Sequence, residues 1–321
     1  MKFRRSRSVL QLALLAGLAT GLLPGAACGL PELLVPAYFD PTGSPGSGYW
    51  DSLVTAAGSA PVTAIMNPNS GPGLSADPAY STAIGRVHTA GGKVVGYVAT
   101  GYATSATRTA AAIKADIDSY LAFYVVDGFF LDEMSSDAGK IGFYSDLYSY
   151  IQNKSASAGR SLRVIGNPGT DTAEGYLSTP AADVLMIYED KAANYAGDAT
   201  PAWVSHYSAD HFAMVVHTES TAAAMHGDLG LAAQRNTGLL YVTDDSDGVL
   251  GNANPYDTLP SYWSDEVASV AATQTPGGAS SSGSSAADSG GGGGGALTGL
   301  APLLLLLRLR QRSRPAWRCR R

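Results

Sequence analysis

Residues 94–99 read Val-Val-Gly-Tyr-Val-Ala, residues 107–123 read Thr-Arg-Thr-Ala-Ala-Ala-Ile-Lys-Ala-Asp-Ile-Asp-Ser-Tyr-Leu-Ala-Phe, and residues 128–133 read Gly-Phe-Phe-Leu-Asp-Glu. The outer two are short, β-branched or aromatic runs of strand length. The middle one places Ala111, Ile113, Ile117, Tyr120 and Leu121 on a single stripe at helical spacing. Strand, helix and strand within about 40 residues make a βα repeat, because two parallel strands need a crossover of a dozen or more residues between them.

The same unit recurs on both sides. Further strand candidates are Leu33 to Phe39, Val62 to Met66, Leu162 to Ile165, Val184 to Ile187, Phe212 to Val216 and Leu239 to Val242, and another helix is expected from Ile141 to Ile151. With Val94 to Ala99 and Gly128 to Leu131 there are eight units in about 240 residues, which predicts an α/β fold, a single-domain (β/α)8 TIM barrel. An open, doubly wound sheet is the structural alternative. It lacks support, because Asn69-Ser70-Gly71-Pro72-Gly73 has neither the third glycine of a dinucleotide fingerprint nor the Gly-Lys-Ser/Thr of a phosphate loop.

The formal charge of −6 for the 321 residues conceals three unlike parts. Residues 1–28 carry only basic groups, Lys2, Arg4, Arg5 and Arg7, followed by an apolar run from Val9 to Leu23 and the small residues Gly25-Ala26-Ala27. This is the pattern of an export signal; a lipoprotein variant acylated at Cys28 is weaker, because Gly25 stands where an aliphatic residue is usual. Residues 29–275 hold 26 acidic and 10 basic groups and form the expected barrel domain. So acidic a domain is a poor nucleic-acid binder.

Residues 276–295 are a Gly/Ser-rich tether, and 296–321 join an apolar run, Ala296 to Leu307, to seven arginines. Twelve apolar residues are short for a membrane crossing, which needs roughly 20. The order of tether, apolar run and arginine cluster resembles bacterial C-terminal sorting signals, so the protein is expected to be secreted or attached to the cell surface through its termini. The two cysteines, Cys28 and Cys319, both lie outside the domain, which leaves no disulfide or thiolate chemistry inside it.

In this fold the chemistry sits at the C-terminal ends of the strands. Those ends are Asp40, Asn67, Thr100, Asp132 with Glu133, Asn167, Glu189 with Asp190, His217 with Glu219, and Asp244 with Asp245. The change from Gly128-Phe129-Phe130-Leu131 to Asp132-Glu133 is abrupt. A carboxylate directly after buried residues is desolvated, which raises its pKa toward the range of proton transfer; Glu189 after Val184 to Tyr188 follows the same logic. Two carboxylates from different strands facing one cleft suit glycoside hydrolysis, where one protonates the leaving oxygen and the other attacks or stabilises the oxocarbenium-like centre. Tyr38, Tyr97, Tyr102, Tyr188 and Tyr241 lie near strand ends, where flat rings stack on sugars.

Expected substrate contacts are thus Tyr38, Asn67, Tyr97, Asn167, Tyr188, His217 and Asp244. No metal or other cofactor is expected. The five histidines show no His-Glu-x-x-His spacing, and Asp244-Asp245-Ser246-Asp247-Gly248 does not keep the register of a calcium loop. No Gly-x-Ser-x-Gly elbow of a serine esterase is present.

The series Val35-Pro36-Ala37-Tyr38, Asn67-Pro68-Asn69-Ser70-Gly71-Pro72-Gly73, Gly96-Tyr97-Val98-Ala99-Thr100, Gly128-Phe129-Phe130-Leu131-Asp132-Glu133, Gly166-Asn167-Pro168-Gly169-Thr170 and Tyr188-Glu189 resembles spherulation-specific family 4, the spherulin-4 proteins, in the same order from about residue 33 to 270. The resemblance implies a (β/α)8 glycoside hydrolase like those of glycoside hydrolase family 135, cleaving galactosamine-containing exopolysaccharide in endo fashion at α-1,4-linked N-acetylgalactosamine. It also implies that Asp132, Glu133 and Glu189 are the catalytic acids.

Two assignments of roles remain open. Asp132 is the nucleophile or cation stabiliser and Glu189 the acid/base, or Glu133 is the acid/base while Asp132 orients the substrate's acetamido group as an internal nucleophile. A further alternative keeps the barrel as a non-catalytic carbohydrate-binding or biofilm-matrix protein. The polysaccharide is the expected partner, and the protein is expected to be a monomer.

Overall fold

A computed structural model describes residues 31–246 and 254–274; the expected export signal, tether and sorting segment lie outside these residues, as do Asp247 and Gly248. Eight strands, β1 (Glu32–Ala37), β2 (Val62–Met66), β3 (Lys93–Ala99), β4 (Gly128–Asp132), β5 (Arg163–Gly166), β6 (Val184–Lys191), β7 (Phe212–His217) and β8 (Leu239–Val242), pair in sequence order into a closed barrel. Every pairing is parallel, including the closing one between β8 and β1. The (β/α)8 barrel read from the repeats is therefore the fold.

Among the described residues, eight α-helices lie between and after the strands: α1 (Gly46–Ala57), α2 (Pro78–Thr89), α3 (Ala110–Phe123), α4 (Ile141–Ala158), α5 (Gly175–Ser178), α6 (Ala192–Tyr195), α7 (Ala222–Gln234) and α8 (Trp263–Thr273). Between β5 and β6, and between β6 and β7, the crossover helix shrinks to a single turn. The helix expected from Thr107 starts later, at Ala110, because the Thr109 hydroxyl accepts from the Ala112 N–H and caps it. The helix expected to end at Ile151 continues to Ala158, where Gly159 adopts φ +64° and stops it.

β6 also differs. It runs past the expected end at Ile187 to Lys191, through a register shift between Met186 and Tyr188, and its extra residues pair with β7 as far as His217. An inserted residue re-aims the side chains that follow it, which bears directly on Glu189.

Alternation along the strands decides which groups face the barrel axis. A Cβ on Gly96 would lie 2.9 Å from the Tyr120 ring of α3, so Gly96 faces the helix layer and Tyr97 faces the axis. The register pairs Tyr97 with Phe130 and Ala99 with Asp132, which carries the same orientation into β4. Between barrel and helices runs a chain of ring contacts from Trp50 through Tyr80, Tyr124 and Tyr120 to Phe129, with the Trp50 indole N–H donating to the Phe39 carbonyl at 3.1 Å.

At the N-terminal end of the barrel, Arg163 of β5 reaches Glu32 of β1 at 2.8 Å, and the Thr63 hydroxyl donates to the same carboxylate. β1 and β5 lie opposite each other in the ring, so this bridge spans one end of the barrel and leaves the other for chemistry. Among the described residues, no helix is long and apolar enough to cross a membrane.

Candidate active site

Three strands bring polar groups to one point at the C-terminal end. The Asn167 Nδ2 donates to Asp132 Oδ1 at 2.7 Å and to Glu189 Oε2 at 2.6 Å, so one amide bridges carboxylates from β4 and β6. The nearer oxygens of the two acids can be no further apart than these two bonds laid end to end. Asp132 Oδ2 accepts from the Tyr97 hydroxyl at 2.7 Å, and Glu189 Oε1 accepts from the Tyr256 hydroxyl at 2.6 Å. Each acid thus shares the Asn167 amide and has a tyrosine hydroxyl of its own.

Charge explains why an amide stands between them. Two carboxylates this close repel, and a buried NH2 is a donor to both without adding a charge of its own. Burial pushes the Asp132 carboxyl above the ordinary aspartate range, while hydrogen bonds from the Tyr97 hydroxyl, the Glu133 backbone and the Asn167 amide pull the other way. Burial also raises the Tyr97 and Tyr256 phenols, with the neighbouring acids adding to it, so both stay protonated and serve as donors. Gly169, at φ +63°, lets the chain after β5 pass close to the site; a Cβ there would meet Glu189 Cβ at 3.5 Å and Asn167 Oδ1 at 3.6 Å.

Glu133 follows Asp132 in a left-handed conformation, φ +51°. Its carbonyl accepts from the Tyr102 N–H at 2.7 Å and from the Thr100 hydroxyl at 2.8 Å, and the Thr100 hydroxyl also pairs with Tyr144. Tyr102 and Ala103 are left-handed as well, at φ +56° and +54°. Such conformations cost about 1–3 kcal/mol each and persist where surrounding contacts hold them. Here they cluster on the β3 and β4 ends, beside the acids.

The expected site residues divide. Tyr38, Tyr97, Asp132, Asn167 and Glu189 come together, with the Tyr38 ring edge-on to Tyr97 at 5.6 Å. Glu133 stands at the mouth, and its charge is felt at the Tyr97 and Tyr102 phenols. His217 ends β7, buried, with Nδ1 3.0 Å from the Thr218 hydroxyl. Asn67 directs Oδ1 to the Gly71 N–H at 3.0 Å and shapes its own loop.

Two expected substrate contacts have partners within the fold. Tyr188 lies on the outer side of β6: its ring packs 4.7 Å from Tyr195 of α6 and its hydroxyl donates to the Lys191 carbonyl, because it shares the face of Met214, which also meets Tyr195. Asp244 accepts from the backbone N–H of Ser261 and from its hydroxyl, and so ties down the segment leading into α8. Tyr241, near a strand end, is likewise buried, with its ring edge-on to Trp263 of α8.

Tyr256 escaped the sequence reading. It follows Asn254 and Pro255 in the connection between β8 and α8, away from any strand end, yet it holds Glu189 and packs edge-on to Tyr38 at 5.8 Å. The only available signal was an aromatic residue on a loop at the C-terminal face, and that signal is weak on a chain with 17 tyrosines.

Comparison with known proteins agrees with this architecture. A family model, Spherulin4, spherulation-specific family 4, matches residues 32–270. Spherulin-4 of Physarum polycephalum is 35% identical over 254 residues, covering 75% of this chain and 70% of that protein. The crystal structure of Aspergillus clavatus Sph3 in complex with GalNAc superposes with a TM-score of 0.61 at 24% identity, over 76% of this chain and 98% of that one, and so has the same fold. With the family pattern matched across the whole barrel, this chain belongs to spherulation-specific family 4.

Proposed function

We propose that this protein is an endo-acting glycoside hydrolase that cleaves galactosamine- or N-acetylgalactosamine-containing exopolysaccharide at α-1,4 linkages. The observation that carries the reading is the Asn167 bridge, which fixes two carboxylates from different strands side by side at the catalytic end of a (β/α)8 barrel. The substrate class draws support from the relative that was solved in complex with GalNAc.

In the first version Asp132 attacks the anomeric carbon while Glu189 protonates the departing oxygen; water, deprotonated by Glu189, then releases the sugar from Asp132. Bonds of 2.7 and 2.6 Å to one nitrogen hold the nearer oxygens well inside the roughly 6.5 Å at which inverting pairs begin, which favours retention. Glu133 positions the substrate. Tyr97 and Asn167 hold Asp132 in the orientation that attack requires.

A second version is favoured by the left-handed backbone of Glu133, which departs from the strand geometry that makes successive side chains diverge. Glu133 is then the acid/base and Asp132 still the nucleophile; the acetamido group cannot take that role at an α linkage, because it lies on the same face of the ring as the leaving oxygen and cannot attack from behind. The two versions separate on the pH dependence of kcat/KM: loss of the basic limb in Glu189→Gln is expected from the first, and loss of it in Glu133→Gln from the second. The α-anomer appearing first in the NMR spectrum is expected from both, and a first-formed β-anomer contradicts both. The protein is proposed to act as a monomer outside the cell, secreted or tethered to the surface through its terminal segments.

A further inference from the structure

We infer that Tyr102 is an aromatic platform for a sugar unit beside the scissile bond, on the β3 side of the cleft. This deepens the glycoside hydrolase reading and rests on it. Among the described residues, three large apolar side chains are exposed: Leu74, Tyr102 and Val125. Val125 precedes β4 and lies at the far end of the barrel, whereas Tyr102 stands on the catalytic face with 42% of its surface open. Flat, open, amphipathic rings are how a protein holds the apolar face of a polar ligand.

Its placement is close to the acids. The Tyr102 phenol is pushed up to about 12, first by burial and then by the charges of Glu133, Asp132 and Glu189, so the ring has all three within electrostatic reach. Its N–H donates to the Glu133 carbonyl at 2.7 Å. Position and proximity therefore come from the same contact: wherever Glu133 is held, Tyr102 is held beside it.

The backbone argues that the residue type matters. Gly101, Tyr102 and Ala103 form three consecutive left-handed residues, at φ +58°, +56° and +54°. Glycine occupies that region freely and tyrosine does not, so stability alone favours glycine at 102. The segment is braced from below, with Arg108 Nε donating to the Ala99 carbonyl and the Ser105 N–H to the Gly101 carbonyl. A strained, exposed ring on a braced segment is explained by what it touches outside the chain.

The test uses the full chain with galactosamine and N-acetylgalactosamine oligosaccharides. Kinetics are measured on the wild type and on Tyr102→Ala, Tyr102→Phe, Tyr102→Trp and Tyr102→Gly, and binding in the same variants on a Glu189→Gln background. Ala and Gly are expected to raise KM and weaken binding about tenfold with kcat changed less than threefold, while Phe and Trp keep wild-type affinity. Tyr102→Gly is expected to melt at or above the wild-type temperature, which separates lost stacking from lost folding. Wild-type affinity in Ala and Gly, or a loss in Phe as large as in Ala, overturns the platform while leaving the hydrolase reading intact. A wild type that neither cleaves nor binds either oligosaccharide overturns both.

Discussion

The amide of Asn167 is shared between two acids, and each acid has a tyrosine of its own. Asn167→Ala removes the one neutral donor common to both carboxylates. The expected loss is about 100-fold in kcat, the size that follows from displacing a reacting group by about 1 Å; a variant within threefold of wild type contradicts the bridging role. Asp132 gives a pH prediction. Its carboxyl is raised above the ordinary value of 3.8 by burial, so the acidic limb of kcat/KM is expected to lie above that value. The Tyr97 hydroxyl favours the charged form, and Tyr97→Phe is therefore expected to move the limb further up. The same shift bears on stability. A carboxylate whose folded pKa is raised loses stability as pH climbs from its unfolded value, so Asp132→Asn is expected to melt higher than wild type at neutral pH while losing turnover.

At the scale of elements, a buried acid ties α8 to β8. Glu266 is fully buried, and its Oε1 accepts from the Val242 N–H of β8 at 2.8 Å. Burial raises its carboxyl from 4.5 to about 8, against the backbone hydrogen bond that lowers it. The protonated form belongs to the folded state, so its contribution is whole below about 4.5 and is lost as pH rises toward 8. Thermal melts are expected to fall across that window in the wild type and to flatten in Glu266→Gln, with the variant the more stable at pH 8. Equal slopes would refute this account of the α8 contact. Glu266 was not legible in the sequence, because Trp-Ser-Asp-Glu at a helix start reads as a solvated acidic turn. Asp132 was legible, because four apolar residues precede it in a strand of known polarity. Tyr188 and Glu189 part for one reason: one residue along a strand reverses the face, and the register shift after Met186 hides from periodicity which of the two faces the axis.

For the whole molecule, the eightfold repeat was enough to give the barrel, since parallel strands of that number with crossovers close on themselves. The site needed more. Strand ends supplied Asp132, Asn167 and Glu189, but Tyr256 comes from a loop whose return to the mouth depends on the closed ring. Charge adds a prediction at this scale. The domain from 29 to 275 has 16 more acids than bases, and partly deacetylated galactosamine polymers are cationic, so long-range attraction is expected to speed their capture. kcat/KM on such a polymer should fall as salt rises from 50 to about 500 mM, with a flatter response on a fully acetylated one; identical responses argue against steering. The central claim, that a bridged pair of strand-end acids hydrolyses a galactosamine polymer, is tested most directly by reducing-end release from that polymer. The wild type is expected to release reducing ends, and Asp132→Asn, Glu133→Gln and Glu189→Gln to fall by at least 100-fold while still binding. Amide variants that cleave as fast as wild type, or a wild type that binds the polymer without cutting it, would contradict the account.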